Sequence, residues 1–139
     1  MRRSPPLTDR PGEWRTALPA TLPAIERFCA EFQRWRQAHC SALDPFCSEL
    51  LLREALTNAV VHGCGEDARK RISCLLRARP RRLVIAIHDA GEGFDWRKEW
   101  HRRASASDTR GRGIQILRRY ASAVRFNPQG NAVAVLKRF

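Results

Sequence analysis

A glutamate, an asparagine and a histidine recur at four-residue steps in one apolar segment, at Glu54, Asn58 and His62. Four residues advance an α-helix by about 400°, so the three side chains would form one polar stripe along a helix. The neighbouring positions are mostly Leu, Val and Ala, which predicts a largely buried helix. A buried stripe of carboxylate, amide and imidazole is costly unless it binds a ligand. The alternative is the solvated face of an ordinary amphipathic helix.

A second motif follows an apolar run that is typical of a strand, residues 83–88. The run ends at Asp89, and the chain continues Ala-Gly-Glu-Gly-Phe to Asp95. An acidic residue at a strand end, followed by Gly91 and Gly93, is typical of an acceptor on a pocket floor beside a loop that a ligand approaches closely. The alternative is a glycine-rich turn without a ligand.

The third motif precedes a short helix predicted to end at Tyr120. It consists of Arg110, Gly111, Arg112 and Gly113. Glycines at a helix N-terminus leave backbone N–H groups exposed at the positive end of the helix dipole, where a phosphate binds well. Each glycine motif alone is weak evidence, whereas the order and spacing of all three motifs are specific.

The composition fits one globular domain. The chain has 139 residues, of which 43% are hydrophobic and 29% charged, and this balance is typical of a folded chain with one core. No run approaches the ~20 apolar residues of a membrane span, and the basic N-terminus is not followed by the apolar segment of a signal peptide. We therefore expect a cytoplasmic protein without membrane contacts. Residues 1–12, rich in proline and basic residues, are predicted to form a flexible arm before a single domain at 13–139.

The net charge of +12 raises the question of nucleic-acid binding. The basic residues are scattered, and no zinc finger, basic zipper or RNA-binding aromatic motif accompanies them. We therefore expect no direct nucleic-acid contact and a surface that suits acidic partners. Five cysteines without a C-x-x-C pair favour neither a disulfide framework nor a zinc site.

The remaining patterns predict the elements that must position the three motifs. They favour an α/β (α+β) two-layer sandwich, a mixed but largely antiparallel sheet with helices on one face. The predicted strands are 13–18, 71–78, 83–88, 123–126 and 132–137, and the predicted helices are 22–39, 46–61 with Asp44 as N-cap, and 113–120.

Together the three motifs resemble those of the Bergerat-fold ATPases, the superfamily of gyrase, the large heat-shock chaperone, histidine kinases and the mismatch-repair ATPase. Within it, the chain is most similar to the anti-sigma factor serine-protein kinases. Residues 51–63 match that family's N box, 89–95 its first glycine box and 111–114 its second. The resemblance extends from about Trp14 to the C-terminus and implies that this stretch is a histidine-kinase-like ATP-binding domain. One departure is Asn131, which stands where the family often has threonine.

The resemblance implies a role for the first two motifs. Asn58 would hold Mg²⁺ against the phosphates of ATP, and Glu54 would be the catalytic general base. Asp89 would accept a hydrogen bond from the adenine amino group. Gly91 and Gly93 would let the loop close over the nucleotide.

It also implies a role for the third motif and the segment before it. Arg110, Gly111, Arg112 and Gly113 would meet the ATP phosphates at the helix N-terminus, with His62 near them. Residues 96–109 correspond to the family's ATP lid.

In function, the resemblance implies an ATP- and Mg²⁺-dependent serine/threonine protein kinase that regulates transcription. Such a kinase phosphorylates an anti-anti-sigma partner with a STAS-type fold and also sequesters a sigma factor, and it is often a homodimer. The alternative is a non-catalytic ATP-binding module that regulates a signalling partner without transferring phosphate. The presence of Glu54 as a base favours the kinase.

Overall fold

The computed structural model describes residues 11–93, 95–101 and 112–139. Residues 1–10, most of the predicted arm, lie outside this description. The strands are β1 (Glu13–Pro19), β2 (Arg71–Arg79), β3 (Arg82–Asp89), β4 (Ala123–Phe126) and β5 (Ala132–Arg138). The helices are α1 (Leu22–His39), α2 (Pro45–Asn58), α3 (Trp96–His101) and α4 (Arg112–Tyr120).

The five strands form one sheet in the order β1-β2-β3-β5-β4. All four pairings are antiparallel, so the described sheet is more uniform than the largely antiparallel one expected. Short connections account for two of these pairings, because β2 and β3 are joined by the turn at residues 80–81 and β4 and β5 by residues 127–131, and a short hairpin reverses the chain direction. The helices cover one side of the sheet, which confirms the predicted two-layer α+β class.

Side chains alternate across each strand and give the sheet two different faces. In β2, Ile72, Cys74 and Leu76 are buried, whereas Ser73 between them is exposed. We call the buried side, under the helices, the core face and the other side the open face. The core consists mainly of aliphatic residues from both layers. Its fully buried members include Ile25, Phe32, Leu43, Leu51, Leu52, Leu56, Ile72, Leu76, Leu83, Ile85 and Leu117.

Local sequence signals explain where the two long helices begin. Thr21 caps α1 by accepting the N–H of Ala24 at 3.2 Å. Asp44 caps α2, as predicted, by accepting two backbone N–H bonds of the first turn at 3.3 Å, and Pro45 occupies the first helical position. Both caps satisfy N–H groups that a helix start otherwise leaves unpaired. The caps therefore fix where the two helices begin. One of them, α2, carries the first motif.

The end of α2 differs from the prediction of one α-helix through residue 61. The α-helical part ends at Asn58, and a π-helical turn follows at Ala59–Gly63. Its defining hydrogen bond runs from the N–H of Cys64 to the carbonyl of Ala59, five residues back, at 2.9 Å. Such turns are rare and frequently lie at functional sites.

Two further findings concern helices. The described part of the segment that corresponds to the family's ATP lid, residues 96–101, forms the short helix α3. Among the residues that the structure describes, no helix combines the length and the apolar character that a membrane crossing requires.

Candidate functional site

Helix α2 holds Glu54 and Asn58 one turn apart. Four of its apolar residues, Leu51, Leu52, Ala55 and Leu56, are fully buried, so the helix is anchored in the core and its polar groups are held in place. Glu54 is half-buried, and burial raises the pKa of its carboxyl group, with the charge of Arg53 acting in the opposite direction. Asn58 is buried, and its Nδ2 atom has no hydrogen-bond partner in the described part of the chain. A buried amide without a partner is the kind of group that a ligand satisfies.

The π-helical turn changes the predicted polar stripe. His62 lies inside this turn and its side chain is exposed, whereas Asn58 is buried. The wider turn alters the angular step between the two residues, so they do not share one buried face. The structure therefore places Glu54 and Asn58 together on α2 and leaves His62 at the surface beside them.

Asp89 is the last residue of β3 and is 4% exposed. Its Oδ1 atom accepts the backbone N–H of Gly91 at 2.7 Å. Burial raises the pKa of the Asp89 carboxyl group, and the Gly91 N–H and the charges of His88 and Lys70 partly offset this. A buried carboxyl group with a single described hydrogen bond retains acceptor capacity for a ligand.

Two glycines make room for this carboxyl group. A Cβ added to Gly63 would lie 2.4 Å from Oδ2 of Asp89, and one added to Gly91 would lie 1.9 Å from the carbonyl oxygen of Gly63. The end of the π-helical turn, the end of β3 and the glycine loop therefore meet around the Asp89 carboxyl group, and neither position 63 nor position 91 has a Cβ to fill the space. Sequence reasoning did not assign Gly63 to the site. The available signal was its place as the last residue of the N-box match, residues 51–63.

Gly93 is held against the turn between β4 and β5. Its φ is +89°, a region that favours glycine, and a Cβ there would lie 1.7 Å from the carbonyl oxygen of Gln129. The glycine loop thus packs on the backbone of that turn, so the turn supports the loop from the side.

Asn127 organises the β4–β5 turn and was also missed by sequence reasoning. Its Oδ1 atom accepts three backbone N–H bonds from within the turn. The donors are Gly130, Asn131 and Ala132, at 2.8, 3.0 and 3.2 Å. An asparagine that binds its own turn in this way fixes the backbone conformation.

Asn131, the departure from the family pattern, links this turn to the glycine loop. Its Nδ2 atom donates to the carbonyl of Gly91 at 3.4 Å, and its own carbonyl accepts the N–H of Asp89 at 2.9 Å. The Oδ1 atom accepts from the side chain of Asn127. Asn131 therefore positions the loop around Asp89 through contacts within the protein.

The same turn anchors the start of α3. The Nε1–H of Trp96 donates to the carbonyl of Asn127 at 3.1 Å, and its ring stacks on Phe126 with centroids 4.9 Å apart. Of the predicted phosphate motif, Arg110 and Gly111 lie outside the described residues, and α4 begins at the next residue, Arg112.

Comparison with known families decides what this arrangement belongs to. The model of the histidine kinase-like ATPase domain matches residues 16–137. The chain belongs to this family. The match includes α2, Asp89, the glycine loop and the β4–β5 turn, so every described part of the site is inside it. A search of curated proteins finds no significant match to the chain.

Membership in the histidine kinase-like ATPase domain family confirms the Bergerat-type superfamily and supports ATP binding and a regulatory role. The narrower assignment to the anti-sigma factor kinases stays a prediction. In this ATPase domain the unpartnered amide of Asn58 and the buried carboxyl group of Asp89 are groups that a nucleotide with its metal ion can satisfy.

Proposed function

We propose that the protein is an ATP-dependent serine/threonine kinase of the anti-sigma regulatory type. It phosphorylates an anti-anti-sigma partner with a STAS-type fold and sequesters a sigma factor. The observation that carries this proposal is a half-buried carboxyl group, Glu54, one helical turn before the buried, unpartnered amide of Asn58. A domain that only bound nucleotide would not require a base at this position.

The residues present fit ATP and Mg²⁺. The Asn58 side chain offers an oxygen that can ligate a hard cation and an N–H that can donate to a phosphate oxygen. Mg²⁺ is usually held by one or two protein groups and completes its shell with water and substrate phosphates, so one amide suits it. When bound, the ion neutralises charge on the phosphates. Asp89, in the space left by Gly63 and Gly91, would accept the adenine amino group.

Glu54 would then move the proton of the reaction. As the partner's hydroxyl oxygen bonds to the γ-phosphorus, the bond from that phosphorus to the bridging oxygen breaks and ADP leaves. The hydroxyl proton passes to the Glu54 carboxylate. Burial raises the pKa of Glu54, which makes it a better base than an exposed glutamate at neutral pH.

The decisive test compares the native chain with Glu54→Gln in single-turnover transfer from radiolabelled ATP to a cognate partner. We expect unchanged ATP and Mg²⁺ binding and a loss of transfer rate of about 10²–10⁴-fold, the usual contribution of a general base. Glu31→Gln, an exposed position on α1, is the matched control and should transfer normally. Equal transfer by native and Glu54→Gln proteins would exclude Glu54 from the mechanism. No transfer by the native chain to a cognate partner would favour the non-catalytic module.

The metal assignment has its own test. Asn58→Ala should abolish the Mg²⁺-dependent part of ATP binding while the fold persists, measured by calorimetric titration and circular dichroism. Unchanged affinity would refute the role of Asn58. The proposed role also implies a cytoplasmic protein and a homodimer. Sedimentation velocity measures the oligomeric state.

A further inference from the structure

The open face of the sheet carries one row of residues that crosses all five strands. The row has one residue from each strand, and neighbouring members are paired in register: Arg15, Leu75, Ala86, Ala134 and Arg125. Arginines therefore occupy the two outer strands, and aliphatic side chains occupy the three inner ones. In the described part of the chain neither arginine forms an ion pair.

This row lies in a trough of about 690 Å³ that is lined from β1 to β4. Small side chains make the trough possible, because Ser73, Ala86, Ala132 and Ala134 occupy outward positions of the three inner strands. A sheet face with larger side chains would have no such depression. Its floor therefore accepts apolar side chains of moderate size.

The charge around the trough is strongly one-sided. Outward strand positions hold seven arginines: Arg15, Arg71, Arg77, Arg79, Arg82, Arg125 and Arg138. The single acidic residue at these positions is Glu13, which is already paired with Arg77 at 2.9 Å. The face therefore attracts negative charge beyond what the described strands supply there.

We propose that the trough docks an acidic, amphipathic segment of a protein partner. Its apolar side chains would fill the aliphatic floor, and its carboxylates would meet Arg15 and Arg125 at the two rims. Four strand spacings of about 4.8 Å place the outer strands roughly 19 Å apart, a length that a helix of about 13 residues spans.

The same observations disfavour two other occupants. A second copy would bring two arginine-rich faces together, and like charges across an interface are costly. Nucleic acid would satisfy the charge, but the row between the two arginines is aliphatic, and the phenyl ring that lines the trough, Phe126, already stacks on Trp96 and is not a free platform for a base. The trough lies on the opposite side of the sheet from α2, so this proposal does not rest on the kinase reaction.

The test is a selection of phage-displayed random peptides on the native chain. The enriched peptides are then labelled with a fluorophore, and their affinity for the chain is measured. Peptides that also bind the charge-reversal variant Arg15→Glu/Arg125→Glu are removed by counter-selection. A second variant, Ala134→Phe, fills the trough without changing its charge. The matched control is Arg27→Glu/Arg34→Glu, two exposed positions on α1. All variants should bind ATP as the native chain does, which verifies their folding.

We expect enriched peptides with net negative charge and apolar residues at helical spacing. Their affinity should fall by about tenfold or more in both trough variants and by less than about twofold in the control. Enrichment without acidic bias, or equal binding by all variants, would refute the proposal. A native dimer that Ala134→Phe converts to a monomer would assign the face to a second copy. Competition by single-stranded DNA, sensitive to charge reversal but not to Ala134→Phe, would assign it to nucleic acid.

Discussion

The carbonyl oxygen of Gly63 occupies the space that a side chain at position 91 would need. The distance from that oxygen to a Cβ built on Gly91 is 1.9 Å, and the Asp89 carboxyl group lies within 2.8 Å of the same point. Neither neighbour can yield, since one is backbone and the other is a buried side chain. Close backbone approach at this corner is therefore a requirement of the site.

Gly91→Ala should consequently disrupt nucleotide binding. The added methyl group must displace the π-helical turn or the Asp89 side chain, and both belong to the site. We expect ATP affinity to fall by about tenfold or more in calorimetric titration, since a clash of this kind costs about 1–3 kcal/mol. Gly65→Ala is the control, because nothing lies within 4 Å of its added Cβ. It should lose some stability through its φ of +60° but retain ATP affinity. Equal affinity in both variants would contradict the packing argument.

Asn127→Ala tests the support that the β4–β5 turn gives to the glycine loop. Three backbone N–H groups lose their acceptor, so we expect a loss of about 1–3 kcal/mol in the free energy of unfolding. ATP affinity should fall as well, because Gly93 packs on this turn. Urea unfolding and titration measure the two effects.

Asn127→Asp is the control for that prediction. It keeps the oxygen that accepts the three N–H bonds and loses only the donation to Asn131. It should therefore retain most of the stability and of the ATP affinity. If Asn127→Asp lowers the unfolding free energy and the ATP affinity as much as Asn127→Ala does, the three accepted N–H bonds are not the cause of the loss.

The structural features that could be predicted are those that residues near one another in sequence determine. The cap at Asp44, the β2–β3 hairpin and the bounds of α1 follow from local chemistry, and each is found as expected. The grouping of motifs also predicted the ATPase superfamily. The caps, hairpin and helix bounds share one property: periodicity and turn residues act over a few positions.

The missed features depend on contacts between distant segments. The role of Gly63 is set by Asp89, and that of Asn127 by Gly93 and Trp96, more than 25 residues away in sequence. The π-helical turn was missed because its residues, Ala-Val-Val-His-Gly, have no local signature that separates them from an α-helix. Tertiary packing decides such features, and local propensity does not encode it.

Asp89→Asn should weaken adenine nucleotides specifically. The substitution removes the negative charge from a buried acceptor, and hydrogen bonds to charged groups are worth about 1.5–3 kcal/mol. ATP affinity should therefore fall by roughly 10–150-fold. Glu92→Gln, which removes the same charge from an exposed position three residues away, should leave it unchanged. Equal binding of ATP and GTP to the native chain would refute this role for Asp89.

Glu54→Gln should stabilise the nucleotide-free protein at neutral pH. Burial raises the pKa of Glu54 above its ordinary value of 4.5, so the folded state favours the protonated carboxyl group. The protonated Glu54 carboxyl group therefore stabilises the folded state fully below pH 4.5, and this stabilisation is lost as the pH rises through the raised pKa. Glutamine has no proton to lose. The difference in unfolding free energy between variant and native chain should therefore increase with pH.

Urea unfolding at a series of pH values measures that difference. Glu31→Gln on α1, where the side chain is exposed, serves as the reference for the loss of one negative charge. A difference that stays constant with pH would show that burial of the Glu54 carboxyl group has no energetic effect.

The π-helical turn also sets how this chain tolerates changes of length. A ring closed over five residues instead of four contains one extra residue, so Ala59–Gly63 behaves as a single-residue insertion absorbed inside a helix. Point substitutions at its exposed positions leave that insertion in place. A deletion of one residue would restore an ordinary helix and carry Gly63 away from Asp89. In descendants of this sequence, the number of residues between Asn58 and Gly63 should therefore vary less than their identities.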